Sequence, residues 1–261
     1  MTNIKYKINL LGSIVSRELS KKYKGTLLGF GWNIVNPIFM LIIYSTVFLT
    51  IFKARWVIEN DETVNYALML FVGIITHSFM ADVMSGSASV IESNKHIVKK
   101  VVFPLELFPV SIVLIGTLNF FIGIVLSVGY AMWADYILNY WSLLYIPMVV
   151  FVYIICLCSI AYVFSALSVF VKDVLQIVPV ISLVMLFTST VFFSVRSAPD
   201  TFGKILYLNP ISIVADAIRE ILYKGSPDFT SLMWLFSISS VALFLTYGFY
   251  SRVKTSFSDI V

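Results

Sequence analysis

Charge is scarce in this chain. Asp, Glu, Lys and Arg make up 12% of its 261 residues, against 59% hydrophobic and 16% aromatic, with a mean hydropathy of +0.94. That balance excludes an ordinary soluble domain and fits a polytopic membrane protein. Cysteine is nearly missing: Cys156 and Cys158 sit inside an apolar run, which excludes a disulfide framework, supplies too few ligands for a metal site, and leaves packing or lipid contact. The two histidines, His77 and His96, are far apart, so neither a zinc-type spacing nor a metal-binding pair exists, and no nucleophile elbow is found. Gly203-Lys204 is followed by Ile205 and lacks both the upstream glycine and the Ser or Thr of a phosphate cradle. The chain is therefore expected not to be an enzyme, not to hydrolyse ATP alone, and to bind no cofactor or metal itself. Residues 1–24 lack the uninterrupted apolar core and small-residue cleavage site of a signal peptide, and are expected to stay in the mature protein.

What the chain does have is long apolar runs. Bounded by charge, they predict an all-α membrane domain with six transmembrane helices at 32–52, 66–84, 107–133, 143–171, 174–195 and 232–250. The fourth run, 29 residues or about 43 Å, exceeds the roughly 30 Å hydrocarbon core and must tilt or project. Pro179 falls inside the fifth and is expected to kink it. Little of the 261 residues remains for a separate soluble domain.

Orientation follows the positive-inside rule. One side carries Lys5, Lys7, Arg17, Lys21, Lys22, Lys24, Lys95, Lys99, Lys100, Lys172, Arg252 and Lys254; the other carries Lys53, Arg55, Arg196, Lys204, Arg219 and Lys224. The split places both termini in the cytoplasm.

Three segments read as lying on the membrane or packed at its edge. In the first, residues 1–31, Ile8, Leu11, Ile14, Val15 and Leu19 fall near helical spacing with lysines around them, as in an interfacial helix or a basic flank. The second is a cytoplasmic amphipathic helix over 86–103, with Val90, Ile91, Ile97, Val98, Val101 and Val102 apolar and Glu92, Lys95, Lys99 and Lys100 charged. It suits docking into a partner's groove or resting on the bilayer. The third, 200–224, reads as two short outer-leaflet helices broken at Asn209-Pro210, re-entrant or interfacial, with Asp216 and Arg219, and Glu220 and Lys224, paired along a polar face.

Buried ionisable residues would mark ion-coupled transport. His77 and Asp82 on the second helix are the candidates; Asp82 is expected at a solvated helix end and His77 in a hydrogen-bonded packing role.

A six-helix chain without an energy source fits half of a transporter driven by another subunit. Arg17-Glu18-Leu19, the run Lys22 to Phe30, Trp32, Asn36-Pro37, Ile97 to Pro104 and Pro109 resemble the permease of polysaccharide ABC-2 exporters. Lys172-Asp173, Asn209-Pro210, Arg219, Leu222 and Gly225 extend the resemblance over nearly the whole chain. Many relatives have Arg-Asp where this chain has Lys172-Asp173, so the bidentate guanidinium is lost there.

The resemblance implies a single ABC-2 transmembrane domain over 1–261, in the inner membrane of a bacterium. Its partners would be two copies of a nucleotide-binding ATPase subunit that holds ATP and Mg, a second copy of itself, membrane lipid and a lipid-linked polysaccharide; nucleic acid is not expected. Segment 86–103 would be the coupling helix, with Glu92, Lys95, Ile97, Lys99, Lys100, Lys172 and Asp173 facing the ATPase. Residues before Trp32 would form a gate helix. There Arg17, Lys21, Lys22 and Lys24 either meet the pyrophosphate of an undecaprenyl-linked glycan, such as O-antigen or teichoic acid, or attract bulk anionic lipid. Tyr44, Phe48, Phe52, Phe187, Phe192 and Phe193 would line a sugar channel at a seam between protomers, or pack as core and lipid-facing residues. Two other functions compete: ABC-2 export of drugs or simple lipids, and a membrane enzyme acting on polyprenyl-linked sugars, which would need a catalytic cluster that the sequence lacks.

Overall fold

The computed structural model describes residues 4–53, 55–57, 63–100, 103–137, 139–195 and 200–260. The expectations for Arg196, Val101 and Val102 lie outside them, as do those for the side chains of Lys22 and Lys100.

The fold is an all-α membrane bundle. Its helices are α1 (Ile4–Tyr23), α2 (Trp32–Tyr44, continued by a π-helical stretch Ser45–Ile51), α3 (Tyr66–Ser93), α4 (Lys95–Lys100), α5 (Leu107–Trp133) and α6 (Ile146–Phe170). They are followed by α7 (Val174–Phe187), α8 (Asp200–Leu208), α9 (Pro210–Tyr223), α10 (Phe229–Val253) and α11 (Phe257–Ile260). A two-stranded antiparallel ribbon, β1 (Arg55–Val57) and β2 (Thr63–Asn65), pairs Trp56 with Val64 between α2 and α3.

Among the described residues, five helices are long and apolar enough to cross a membrane: Gly29–Ile51, Tyr66–Ser93, Leu107–Trp133, Tyr140–Phe170 and Phe229–Ser256. The expected fifth crossing, 174–195, is shorter. Its α-helix stops at Phe187, and 14 residues rise only about 21 Å, less than the roughly 30 Å hydrocarbon core. The second helix runs on beyond the expected Met84 to Ser93, because the small residues Ser85, Gly86, Ser87, Ala88 and Ser89 continue the turn without obstruction. Asp82 is therefore well inside a helix rather than at its end.

Helix starts follow their local chemistry. Asn65 caps α3 by accepting from Ala67 N at 2.9 Å and Leu68 N at 3.3 Å. Asn209 caps α9 through Ile211 N at 2.9 Å with Pro210 in the first turn, and Asp228 caps α10 through Thr230 N at 3.0 Å.

Helix α3 is the central element, packed by α5, α6, α7 and α9. Close approach to α5 depends on Gly116, where a Cβ would lie 2.6 Å from Phe79 Cε2. Phe79 in turn stacks on Phe120 and meets Tyr153 edge-on. Helices α2 and α7 are the opposite case: each buries a single described residue, Asn33 and Val178 respectively. Cys156 is buried and Cys158 half-buried, both unbridged.

Candidate functional site

The two termini meet at one end of the bundle. A second apolar cluster there gathers Ile14 of α1, Val90 and Ile91 of α3, Val98 of α4, Phe108 of α5, Tyr162 of α6, Tyr250 of α10 and Phe257 of α11. Glu106, just before α5, ties this assembly together by accepting from Lys7 Nζ at 3.1 Å and Lys254 Nζ at 2.9 Å. The neighbouring carbonyl of Leu105 accepts from the Tyr250 hydroxyl at 2.9 Å, and that of Glu106 from Tyr162 at 3.3 Å. Burial works to raise the Glu106 carboxyl, but the hydrogen bonds from Lys254 and Lys7 outweigh it and hold the group below the usual glutamate value.

The turn from α3 to α4 is made at Asn94. Its Nδ2 donates to the Val90 carbonyl at 2.9 Å, and its Oδ1 accepts from Arg17 Nη2 at 2.7 Å. The same Arg17 nitrogen donates to Glu18 at 3.0 Å, and Lys21 Nζ reaches that carboxylate at 3.0 Å. On α4, Val98 is buried and Ile97 half-buried, whereas Lys95, His96 and Lys99 are exposed beside Glu92. The apolar side of α4 thus faces its own bundle, and the basic side faces outward. Helix α11 touches both α4 and α6, so Lys172 and Asp173, exposed just beyond α6, share this end.

Beside α1, two adjoining cavities of about 330 and 380 Å³ share Asp82, Gly116 and Asn119. They run from Glu18 to Trp32, Asn33 and Asn36 along the first crossing. His77 lies on the other side of α3, with Nε2 3.0 Å from the Ser182 carbonyl, in the packing role expected of it.

At the far end an aromatic tract forms. Tyr44, Phe48 and Phe52 follow one another at 6.4 and 5.7 Å between centroids; Phe48 meets Tyr66 at 5.1 Å, and Tyr66 meets Trp56 at 5.7 Å. The Tyr66 hydroxyl donates to the Phe192 carbonyl at 2.6 Å, and Phe192 stacks on Phe187 at 5.8 Å. Five of the six expected aromatics are thereby joined through Tyr66. Phe52 and Phe187 are exposed, and Phe193 is half-buried.

A profile of the ABC-2 type transporter family matches residues 9–223, through α9. The chain belongs to that family. It is 26% identical to the O-antigen export system permease protein RfbA of Myxococcus xanthus over 97% of this chain and 95% of that protein. It is 23% identical to the RfbA of Klebsiella pneumoniae over 99% and 97%. The polysialic acid transport protein KpsM of Escherichia coli is 23% identical over 90% and 89%.

In this ABC-2 chain the described residues among Arg17, Lys21, Lys22 and Lys24 do not stand alike. Arg17 is engaged with Asn94 and Glu18, Lys21 shares Glu18, and Lys24 is exposed after the helix ends. On α1, Ile14 is buried and Lys7, Leu10, Leu11, Val15, Arg17, Glu18 and Leu19 are half-buried, while Ile8 is exposed. Four of the five residues expected on its apolar stripe, Leu11, Ile14, Val15 and Leu19, are therefore covered, and α1 packs on protein at Leu10, Leu11 and Ile14.

Arg219 is the residue whose place the sequence concealed. Expected on a polar face, it is 1% exposed. Its Nε and Nη2 donate to the Met69 carbonyl at 2.9 and 2.6 Å, Nη1 to the Thr190 carbonyl at 2.8 Å and to Asp216 Oδ1 at 2.7 Å, and Nη2 to the Val191 carbonyl at 3.3 Å. The guanidinium also lies 4.4 Å over the Trp56 ring. Desolvating a guanidinium costs several kcal/mol unless its donors are met, and these carbonyls meet them. Local spacing gave no sign of this: Ile211, Val214, Ile218, Ile221 and Leu222 share one arc of about 100° on α9, and Arg219 falls outside it, three residues from Asp216.

Proposed function

We propose that this chain is the membrane subunit of an ATP-driven exporter that moves an undecaprenyl-pyrophosphate-linked polysaccharide of O-antigen or teichoic acid type from the inner to the outer face of the cytoplasmic membrane. The observation that carries this reading is similarity along almost the entire chain to permeases of O-antigen export. The geometry supports it at three points.

Helix α4 and Lys172-Asp173 present charge on the end of the bundle that holds the termini, as a docking face for a separate ATPase needs. With both termini cytoplasmic, ATP and Mg belong to that partner, two copies of it serve two permeases, and its closure pushes on Lys95, Ile97, Lys99 and Lys100. The cavities from Glu18 to Asn36 lie along the first crossing, where a lipid-linked substrate enters sideways with its pyrophosphate against Lys21, Lys22 and Lys24. Helices α2 and α7, almost unburied in one chain, supply the seam for a second copy, and the aromatics from Tyr44 to Phe193 offer ring faces that stack on pyranose C–H groups while their hydroxyls stay solvated.

Depletion of this chain in its host tests the reading. Lipid-linked glycan should accumulate on the cytoplasmic face. Unchanged lipid-linked glycan would instead assign the chain to export of a drug or simple lipid.

A further inference from the structure

The end of the bundle away from the termini holds a cavity of about 260 Å³, between α9, the start of α10 and the β1 strand. Its volume is a little below the roughly 300–1,000 Å³ of drug-sized sites, which suits one ring with its substituents. Trp56, Tyr207, Ser212, Asp216, Arg219 and Glu220 contribute to its wall.

The polar groups left open to this cavity are mainly acceptors. Among the described lining residues Arg219 is the only cation, and its donors are spent on Asp216 and the carbonyls of Met69, Thr190 and Val191. The hydrogen bonds of Asp216, from Arg219 and Thr190, both fall on Oδ1, and its side chain keeps 36% of its surface exposed. Glu220 accepts from Asp228 N on Oε2 at 2.8 Å and lies within the electrostatic reach of Lys224. Asp228, also in the wall, is satisfied by Thr230 N and Ser231 Oγ. Among the described lining residues three carboxylates therefore face one covered guanidinium, a net charge of −2. Tyr207, 58% exposed, adds an aromatic face with a hydroxyl at its tip.

Carboxylate oxygens beside an accessible ring recognise hydroxyl donors on a compact apolar body, and repel a phosphate or carboxylate. We infer that this cavity binds a single hydroxyl-rich, uncharged sugar ring of the transported chain and disfavours anionic sugars. This rests on the reading of the chain as a polysaccharide exporter, and narrows its substrate to a glycan built largely of neutral residues.

The test is saturation-transfer NMR on the full-length protein in nanodiscs, with glucose, N-acetylglucosamine and glucuronic acid as probes, and Ca²⁺ as a competitor. The neutral sugars should bind, with glucuronic acid about tenfold weaker. Glu220→Gln should weaken the neutral sugars about tenfold while narrowing the gap to glucuronic acid, and Tyr207→Ala, a change at an exposed side chain, should weaken them too. Three results would overturn the assignment: equal binding of neutral and acidic sugars, neutral binding untouched by both variants, or displacement of sugar by Ca²⁺, which would make the cavity a cation site. Surface glycan in cells is scored in parallel. Export with a failed binding test removes the cavity alone, whereas cells whose glycan export is indifferent to this chain remove the reading beneath it.

Discussion

Gly73 and Arg219 meet so closely that a Cβ on Gly73 would lie 2.6 Å from Nη2 of Arg219 and 2.9 Å from Cα of Val191. The missing side chain is what lets the arginine reach the Met69 carbonyl on the same helix. Gly73→Ala should therefore destabilise the protein by about 1–3 kcal/mol through overpacking, visible as a lowered thermal midpoint in detergent. Gly129→Ala, with nothing within 4 Å of its Cβ, serves as the control and should leave the midpoint in place.

Arg219→Met should cost more, about 3–5 kcal/mol, since it leaves Asp216 with only the Thr190 hydroxyl and takes the guanidinium donors from three buried carbonyls. Arg219→Lys should recover only part of this, because one ammonium cannot span carbonyls on both α3 and the turn after α7. Monodisperse yield on size exclusion and thermal unfolding rank the three forms; a fully stable Arg219→Met would mean that the buried network contributes nothing net.

Glu106 predicts a pH dependence. Its folded value lies below that of an unfolded glutamate, about 4.3, so its contribution is present above that pH and is lost as pH falls through the folded value. A spin label on Ser13 of α1 should be immobile at neutral pH and loosen on acidification below the value of an unfolded glutamate. In Glu106→Gln the label should already be mobile at pH 7.

Lys99→Glu combined with Lys100→Glu reverses charge on α4, where Lys99 is exposed, without touching buried Val98. Copurification with the ATPase should fail, or ATP hydrolysis should lose its link to export, while the permease stays folded. A variant that assembles and exports normally would remove α4 from the coupling interface.

The N-terminal cations should separate by role. Arg17→Gln breaks the bridge to Asn94 and should lower stability, whereas Lys21, Lys22 and Lys24 changed together to Gln should impair export and leave assembly intact. Proteolysis of α1 reads the first effect and surface glycan the second. Lost assembly in the triple variant would make those lysines structural.

Much of this architecture is legible in the apolar runs. The crossings at α2, α5, α6 and α10 follow from length and hydropathy, and the break at Asn209-Pro210 from capping chemistry. Two features escape such reading for physical reasons. Serines and glycine at 85–89 resemble a loop by composition, yet they prolong α3 because small residues also fit a crowded helix interface. Arg219 has the spacing of a surface partner for Asp216, and only the carbonyls of Met69, Thr190 and Val191, distant in sequence, make its burial tolerable. The aromatic tract was half visible: the i, i+4 row of Tyr44, Phe48 and Phe52 is local, but Tyr66, which joins it to Phe192, comes from another helix.

The unbroken length of α3 has a mechanical consequence. Its 28 residues make a rod of about 42 Å, gripped near one end by Arg219 at Met69 and, just past the other, by Arg17 at Asn94. A strut clamped at both ends transmits axial force rather than absorbing it. A nudge at the Asn94 corner therefore loads the carbonyl that seats Arg219, and two arginines with no contact between them become opposite ends of one lever.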